Sequence, residues 1–309
     1  MLRQGDRLTA LPTAAANSRP IGGGLALAAV GAIAFSGKAI IVKLAYRYGV
    51  DAVTLIMYRM LFALPMFLVL AWWAGRGKPA LSAHDWWVCG ALGFFGYYLA
   101  SFLDFAGLRY VTASLERLVL YLNPTLVLLL SVLIYRRRVT LRQVSAMAVS
   151  YVGIALVFGH EMTLDQPDTG LGATLVFGSA VSYALYLVIS SEEVKRIGSL
   201  RLTGWASTVA CVLCIVQFLL LRPLSAADVA PAVVWLSLLN AVVCTVAPIM
   251  MVMMAIERIG APLTAQTGMI GPLSTISMGV LILGEPFTGW TVVGTAFVLA
   301  GIWMLARAR

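Results

Sequence analysis

The chain has 309 residues and a mean hydropathy of +0.93; 61% of its residues are hydrophobic and 11% are charged. Soluble domains carry about 25% charged residues, so this composition excludes a soluble globular protein and predicts one embedded in lipid. The net charge of +9 would suit nucleic acid, but the basic residues are distributed over short loops between apolar segments, so no nucleic-acid partner is predicted.

Apolar segments of roughly 20 residues, long enough to span hydrocarbon, follow one another along almost the whole chain. Residues 1–21 carry Arg3, Arg7 and Arg19 and are interpreted as a tail before the first helix. The connections are short, so we expect an all-α membrane protein in contact with the lipid bilayer and without a soluble domain. Ten transmembrane helices are predicted, at 22–46, 51–74, 84–108, 112–135, 140–159, 170–192, 202–221, 229–256, 262–283 and 288–306.

Basic residues alternate between successive connections. The tail, the C-terminus and the connections on the same side hold fifteen Lys and Arg residues, and the connections on the other side hold three. Short cytoplasmic loops are enriched in basic residues, so both termini are predicted to be cytoplasmic and the acidic linker 160–169 to face outward. All four cysteines fall within predicted helices, so packing is favoured over redox chemistry, and no metal or cofactor is predicted.

Eleven residues recur in one register, 148 positions later in the chain. Such recurrence indicates a duplication, with a first repeat at 22–159, the outer linker at 160–169 and a second repeat at 170–309. Each repeat contains five predicted helices, an odd number, so the second is predicted to be inverted relative to the first. Inverted repeats permit alternating access around a central site, which favours a carrier over an enzyme. The first members of the eleven pairs are Ala113, Leu115, Pro124, Val132, Leu133, Ile134, Thr140, Val144, Ala148, Gly153 and Ile154.

Two equivalent helices contain a proline halfway along their length. Asn123 and Pro124 lie in the fourth predicted helix, and Gly271 and Pro272 lie in the ninth. Proline removes one helical hydrogen bond, and in lipid the freed carbonyl needs another partner. Breaks at equivalent positions of both repeats predict a substrate site near the membrane midplane, although a kink that eases packing is the alternative.

Five ionisable residues lie inside predicted helices, namely Lys38, Arg59, Asp104, Glu116 and Arg117. Each costs about 2.5–3.5 kcal/mol at the bilayer centre on insertion scales, so each needs a physical reason. At a rise of ~1.5 Å per residue they lie roughly 9–12 Å from the outer ends of their helices. Two interpretations stay open. One is a structural ion network, with Asp104 paired to Arg117; in the other, Lys38 and Arg59 bind substrate while Asp104 and Glu116 carry protons.

Tyrosines supply polar-tipped rings in the same helices: Tyr97, Tyr98, Tyr121, Tyr183 and Tyr186. Packing is the ordinary explanation, but a buried tyrosine hydroxyl needs a hydrogen-bond partner, so these rings are candidate substrate contacts. Rings, cations and carboxylates around one cavity would suit a zwitterion with an apolar side chain.

The segment 284–290, with Gly294 and 300–302, resembles the C-terminal signature of the drug/metabolite transporter superfamily, specifically the ten-helix EamA-type carriers. The segments 106–114 and 122–124 resemble the equivalent pattern of the first repeat. The resemblance implies export of amino acids, related metabolites or amphipathic drugs across a bacterial inner membrane, with the aromatic amino acid exporters as the first branch to consider. The chain departs from the pattern at Arg137, where the family usually has Glu, so the equivalent positions Arg137 and Glu285 are not symmetric in this chain.

The expected protein is therefore a monomeric secondary carrier that exports aromatic or other apolar amino acids. No nucleotide-binding loop occurs, so the chain is not expected to hydrolyse ATP. Two other kinds of carrier remain open: a nucleotide-sugar or phosphate-ester exchanger, and a multidrug exporter. A membrane acyltransferase is a more distant alternative, because His160 and Asp165 have the spacing of an acyltransferase motif but lie in a short linker.

Overall fold

The computed structural model describes residues 21–120, 122–135, 140–162, 168–268 and 270–307, and over these residues it contains helices and no strand. Three π-helical segments, Gly93–Leu99, Val242–Val246 and Gly279–Leu283, and a 3-10 turn at Leu224–Ala227 lie between α-helices of the described chain. The α-helices are α1 (Ile21–Tyr46), α2 (Ala52–Gly75), α3 (Ala83–Leu92), α4 (Ala100–Gly107), α5 (Ala113–Leu120), α6 (Asn123–Tyr135), α7 (Leu141–Met162), α8 (Thr169–Ile197), α9 (Ser199–Leu221), α10 (Pro231–Ala241), α11 (Ala247–Gly268), α12 (Ile270–Met278) and α13 (Gly289–Arg307).

Eight helical stretches in the described parts of the chain are long and apolar enough to cross a membrane. Two shorter apolar stretches, Leu273–Leu283 and Gly289–Gly301, follow them. The protein is therefore a multi-pass membrane protein, as its composition predicted. The two short stretches correspond to the last two predicted helices, so ten crossings remain a prediction.

The end of the predicted eighth helix and the start of the ninth lie together in α11. Contacts along α1 show that the chain nevertheless reverses direction within this region. A Cβ atom on Gly24 would meet Ile259, whereas the Ser36 hydroxyl donates to the Gly271 carbonyl oxygen at 2.9 Å. Gly24 and Ser36 are ~18 Å apart along α1, so the chain travels towards the start of α1 and then back.

The packing of the helices repeats under the same 148-residue offset. α7 packs on α13 and α2 packs on α9, and in each pair one helix is the offset equivalent of the other. α1 packs on α11, and its equivalent α8 packs on α4. The offset also carries the π-helical segment Gly93–Leu99 onto 241–247, which contains the segment Val242–Val246.

Two glycines related by the offset explain how α7 and α13 approach closely. A Cβ atom on Gly153 would lie 2.6 Å from the Gly294 carbonyl oxygen, and one on Gly301 would lie 2.6 Å from the Ala146 carbonyl oxygen. Gly294 and Ala146 are themselves related by the offset. Small residues let membrane helices pack backbone to backbone, so the recurrence of glycine in the sequence has a direct packing cause.

Ion pairs tie the connections together at one end of the bundle. Asp51 accepts hydrogen bonds from the backbone at the start of α2, and Arg222 at the end of α9 lies 3.1 Å from its carboxylate. Partial burial acts to raise the pKa of Asp51, but hydrogen bonds from Thr54 and Arg222 outweigh it and hold this pKa below its usual range.

A second group of ion pairs lies at the other end. Arg196, beyond the apolar part of α8, bonds to Asp85 at the start of α3 and lies 2.6 Å from the Glu193 carboxylate. Hydrogen bonds to Glu193 and Asp85 raise the pKa of Arg196 above its usual range. These two groups connect helices of different repeats at both ends of the molecule.

Candidate functional site

A cavity of about 370 Å³, called the central cavity below, lies among helices of both repeats. Its volume falls at the lower end of the range of small-molecule sites, about 300–1,000 Å³. Six of the residues predicted for a substrate or proton site line it: Lys38, Arg59, Tyr97, Asp104, Asn123 and Tyr183. The lining also includes Phe35, Met60, Phe67, Gly96, Ala100, Ser101, Arg117, Leu120, Ser179, Ser207, Cys244, Thr245 and Ile249.

One wall of the cavity is a buried ion network. The Lys38 ammonium lies 2.5 Å from Asp104 Oδ2 and 3.3 Å from Glu116 Oε1. Arg117 Nε lies 3.9 Å from Glu116 Oε2, and Arg117 Nη2 donates to the Phe35 carbonyl oxygen at 3.5 Å. The expected pair of Asp104 with Arg117 is therefore wrong, because α1 inserts the Lys38 ammonium between the two carboxylates.

Arg59 differs from Lys38 and Arg117, the other cations of the cavity, because no carboxylate lies against it in the described structure. The residue is only 4% exposed, and its Nε and Nη2 atoms have no hydrogen-bond partner there. Its guanidinium stacks 4.5 Å from the centre of the Phe105 ring. A cation–π contact offsets only part of the cost of burying a charge, so Arg59 presents unsatisfied donors to the cavity.

Another part of the cavity lining carries rings and hydroxyl groups. The Tyr97 hydroxyl lies 3.1 Å from the Tyr186 hydroxyl, and the Tyr183 and Tyr186 rings are stacked with centroids 5.5 Å apart. Tyr97 and Tyr183 face the cavity, whereas Tyr186 packs behind them against Gly96. The Ser179 hydroxyl is used internally, since it donates to the Ala100 carbonyl oxygen at 2.7 Å.

The two parts of the cavity lining differ because equivalent positions of the two repeats hold different residue types. The 148-residue offset carries Lys38 onto Tyr186 and Arg59 onto Ser207, so these two cations of the first repeat correspond to hydroxyl-bearing residues in the second. The third cavity cation, Arg117, corresponds to Ala265. Ser207 lines the cavity, and its hydroxyl has no hydrogen-bond partner within the described residues. The backbone arrangement is thus duplicated, but the described charged side chains that line the cavity all come from the first repeat.

The fourth predicted helix is interrupted next to Pro124, as the missing N–H group of a proline predicts. α5 ends at Leu120, and α6 begins at Asn123. Pro124 has no N–H group for the Leu120 carbonyl oxygen, and the Asn123 side chain donates to that oxygen instead, at 2.7 Å. The Asn123 Oδ1 atom keeps no partner in the described structure, so the break delivers a polar group to the cavity.

The remaining predicted site residues that the structure describes are not among those that line the cavity. Tyr98 faces a separate groove beside Gln217, and Glu116 is fully buried behind Lys38. The Gly271 carbonyl oxygen accepts from Ser36 on α1, so the ninth predicted helix is bonded to the first. Tyr121, and the side chains of Pro124 and Pro272, lie outside the described residues.

Several cavity residues were not predicted from the sequence. Phe35, Ser179 and Ser207 are ordinary apolar-helix residues without an ionisable or helix-breaking group. The offset provided a signal for one of them, because Ser207 is the equivalent of Arg59. The others depend on which face of a helix turns inward, and an all-round apolar helix does not encode that in its periodicity.

A family model matches this chain twice. The model of the EamA-like transporter family covers residues 22–159 and 170–307. The chain belongs to the EamA-like transporter family. This is a family of transporters, and its two matches fall on the two sets of helices related by the offset.

Relatives of this EamA-like transporter are also described as transporters. The uncharacterized transporter YcbK of Bacillus subtilis is 31% identical over 284 residues, which are 88% of this chain and 90% of that protein. The uncharacterized transporter YyaM of the same organism is 27% identical over 78% of this chain and 80% of its own. One solved crystal structure has a TM-score of 0.63 at 16% identity, over 91% of this chain and 97% of its own, which is a likeness of fold alone.

Proposed function

We propose that this EamA-like transporter is a monomeric secondary carrier that exports aromatic or other apolar amino acids and related metabolites across a bacterial inner membrane. Ten helices form two inverted five-helix repeats, and both termini are cytoplasmic. The repeated packing of α2 on α9 and of α7 on α13 supports the two repeats. Exchange of conformation between inverted repeats would move the opening of the central cavity from the inner to the outer side.

The unpaired guanidinium of Arg59 is the observation that supports a substrate with a carboxylate group. A buried cation in a membrane protein is costly, and its donors are directed at a cavity that both repeats line. A substrate carboxylate would accept a bidentate pair of hydrogen bonds from the planar guanidinium. Lys38 is a poorer candidate for this role, because Asp104 and Glu116 already surround its ammonium.

The rest of the cavity suits the other parts of an amino acid. Asp104 keeps its Oδ1 atom without a hydrogen-bond partner in the described structure, and this atom can accept from a substrate ammonium. Tyr97 and Tyr183 provide rings against which an aromatic or apolar side chain would pack. Asp104 and Glu116 remain the candidate proton carriers, because they are the buried carboxylates that share Lys38.

Transport into liposomes tests this proposal. Purified protein would be reconstituted, and the uptake of labelled L-phenylalanine would be compared with that of phenethylamine, which lacks the carboxylate. Hydrogen bonds to charged groups contribute about 1.5–3 kcal/mol, so Arg59→Gln should weaken phenylalanine transport roughly ten- to hundredfold. Arg222→Gln is the control, because Arg222 pairs with Asp51 outside the cavity. Equal transport of phenylalanine by Arg59→Gln and the parent would remove the carboxylate role.

A phosphate-ester exchanger is the second candidate. Three cations, Lys38, Arg59 and Arg117, line the cavity, and a phosphate group would bind such a cluster. The small volume and the two carboxylates on Lys38 argue against it. The same liposomes would decide between them, because an exchanger requires a phosphate ester on both sides, whereas the proposed carrier moves the amino acid without one. A multidrug exporter would carry the amine as fast as the amino acid.

A further inference from the structure

A second cavity, of about 400 Å³, lies at the ends of α1 and α4. The distribution of basic residues predicts that this end faces outward, so this cavity is called the outer cavity. The cavity is polar, and its charged lining consists of Lys43, Arg47, Arg109 and Glu285. Three cations and one carboxylate make an excess of positive charge in a space large enough for a small solute.

The convergence of these cations contrasts with their scarcity on this side of the molecule. The connections on the predicted outer side hold three basic residues in all, Arg47, Arg109 and Arg222. Two of them line this cavity, and the third is paired with Asp51. Short outer loops contain few basic residues, so the placement of two of the three around one cavity needs a specific explanation.

The single carboxylate of the cavity is already used by the protein. Glu285 accepts from the backbone N–H of Ala113 at 2.7 Å and from the hydroxyl of Ser114 at 3.0 Å, and so caps the start of α5. Arg47 is oriented by a bond from its Nη2 atom to the Leu283 carbonyl oxygen, 2.9 Å long. Arg109 is exposed, and its side chain makes no hydrogen bond or ion pair within the described parts of the chain. The cavity therefore retains cationic donors for an anion.

The contact between Tyr46 and Phe105 connects the lining of this cavity with that of the central one. Tyr46 lines the outer cavity, and its hydroxyl donates to the Phe105 carbonyl oxygen. The Phe105 ring is the one on which Arg59 stacks in the central cavity. Lys38 and Tyr46 are eight residues apart on α1, so the cavities are separated by roughly 12 Å along the helix.

We infer that the outer cavity is a second binding site for the carboxylate of the transported solute, used on the outer side of the Tyr46–Phe105 contact. This inference rests on the proposed function for the identity of the solute. Arg109 and Arg47 would hold the carboxylate after it leaves Arg59, and breaking the Tyr46 hydrogen bond would open the route between the two sites.

The protection of an engineered thiol tests the inference without measuring transport. Val50 lines the outer cavity and is partly exposed, whereas the four native cysteines are buried. Val50→Cys protein in neutral detergent would be labelled with a sulfonate-bearing methanethiosulfonate. L-Phenylalanine should slow the labelling in a saturable manner, and phenethylamine at the same concentration should not. Addition of Arg109→Gln should raise the half-protecting concentration of phenylalanine at least tenfold.

Two further variants separate this inference from the proposed function. Arg222→Gln should leave protection unchanged, because Arg222 does not line the cavity. Arg59→Gln should lower transport but leave outer protection intact; loss of protection in that variant would mean that one central site explains both results. Transport of phenylalanine without any protection, or equal protection with and without Arg109, overturns the inference and leaves the proposed function standing. Protection without transport overturns the proposed function alone.

The lipid headgroup is the other source of an anion at this position. The labelling would be repeated in liposomes of phosphatidylcholine with and without phosphatidylglycerol. Protection that requires phosphatidylglycerol and does not respond to phenylalanine would assign the cavity to lipid and overturn the solute site.

Discussion

Lys38 and Arg59 are buried cations in one cavity, yet the structure predicts that removing Lys38 lowers the stability and removing Arg59 does not. Lys38 is 7% exposed and lies between Asp104 and Glu116. Arg59 is 4% exposed and has no carboxylate partner among the described residues. Replacement by methionine keeps a similar apolar volume in both cases, so the variants Lys38→Met and Arg59→Met isolate the effect of charge.

The size of each stability change follows from the charges that the variant leaves buried. Lys38→Met leaves the carboxylates of Asp104, 2% exposed, and Glu116, 0% exposed; the remaining cation, Arg117, lies 3.9 Å from Glu116. Removing one partner of a buried ion pair costs about 3–5 kcal/mol, and we expect a loss of that size. Arg59→Met instead removes an unpaired charge that costs about 2.5–3.5 kcal/mol at the bilayer centre, so we expect unchanged or increased stability.

Denaturant titration of purified protein, followed by tryptophan fluorescence, measures both variants. The double variant Lys38→Met with Asp104→Asn should recover more than half of the loss, because it removes the stranded carboxylate together with its partner. Lys38→Met with parental stability would refute the proposed ion network. An equal loss in Arg59→Met would show that Arg59 has a structural partner, and its assignment to a substrate carboxylate would then lose its basis.

Other variants test packing, capping and the proline break. Gly301→Ala should destabilise by about 1–3 kcal/mol because its Cβ would meet the α7 backbone; in the same denaturant titration Gly90→Ala, which meets no atom within 4 Å, should stabilise by about 0.5–1 kcal/mol. Asp51→Asn should cost up to about 1 kcal/mol at pH 7. Because the pKa of Asp51 is lowered by folding, its contribution is present above pH ~4 and lost on further acidification, so parent and variant should converge there. Pro124→Ala and Pro272→Ala should each slow transport more than they reduce folded yield; parental rates in both would make the prolines packing features.

Much of the fold could be predicted because lipid restricts the choice of structure. In a bilayer every backbone group must be satisfied within the protein, so long apolar segments become helices, and eight predicted segments occur in the described chain as helical stretches long enough to span. The register of the duplication also carried structural information, since Gly153 and Gly301 recur where α7 and α13 touch. The prediction that Pro124 frees a carbonyl was correct, and Asn123 is the group that satisfies it.

The sequence by itself determined that this is a helical membrane protein of duplicated architecture, and which residues are too costly to bury without a reason. It did not determine their partners, because α1, α4 and α5 come from distant parts of the chain and only their packing brings Lys38 between Asp104 and Glu116. The difference between Lys38 and Arg59 has the same origin. Two cations at similar predicted depth become a satisfied ion pair and an unsatisfied donor, because the tertiary structure places carboxylates beside one and an aromatic ring beside the other.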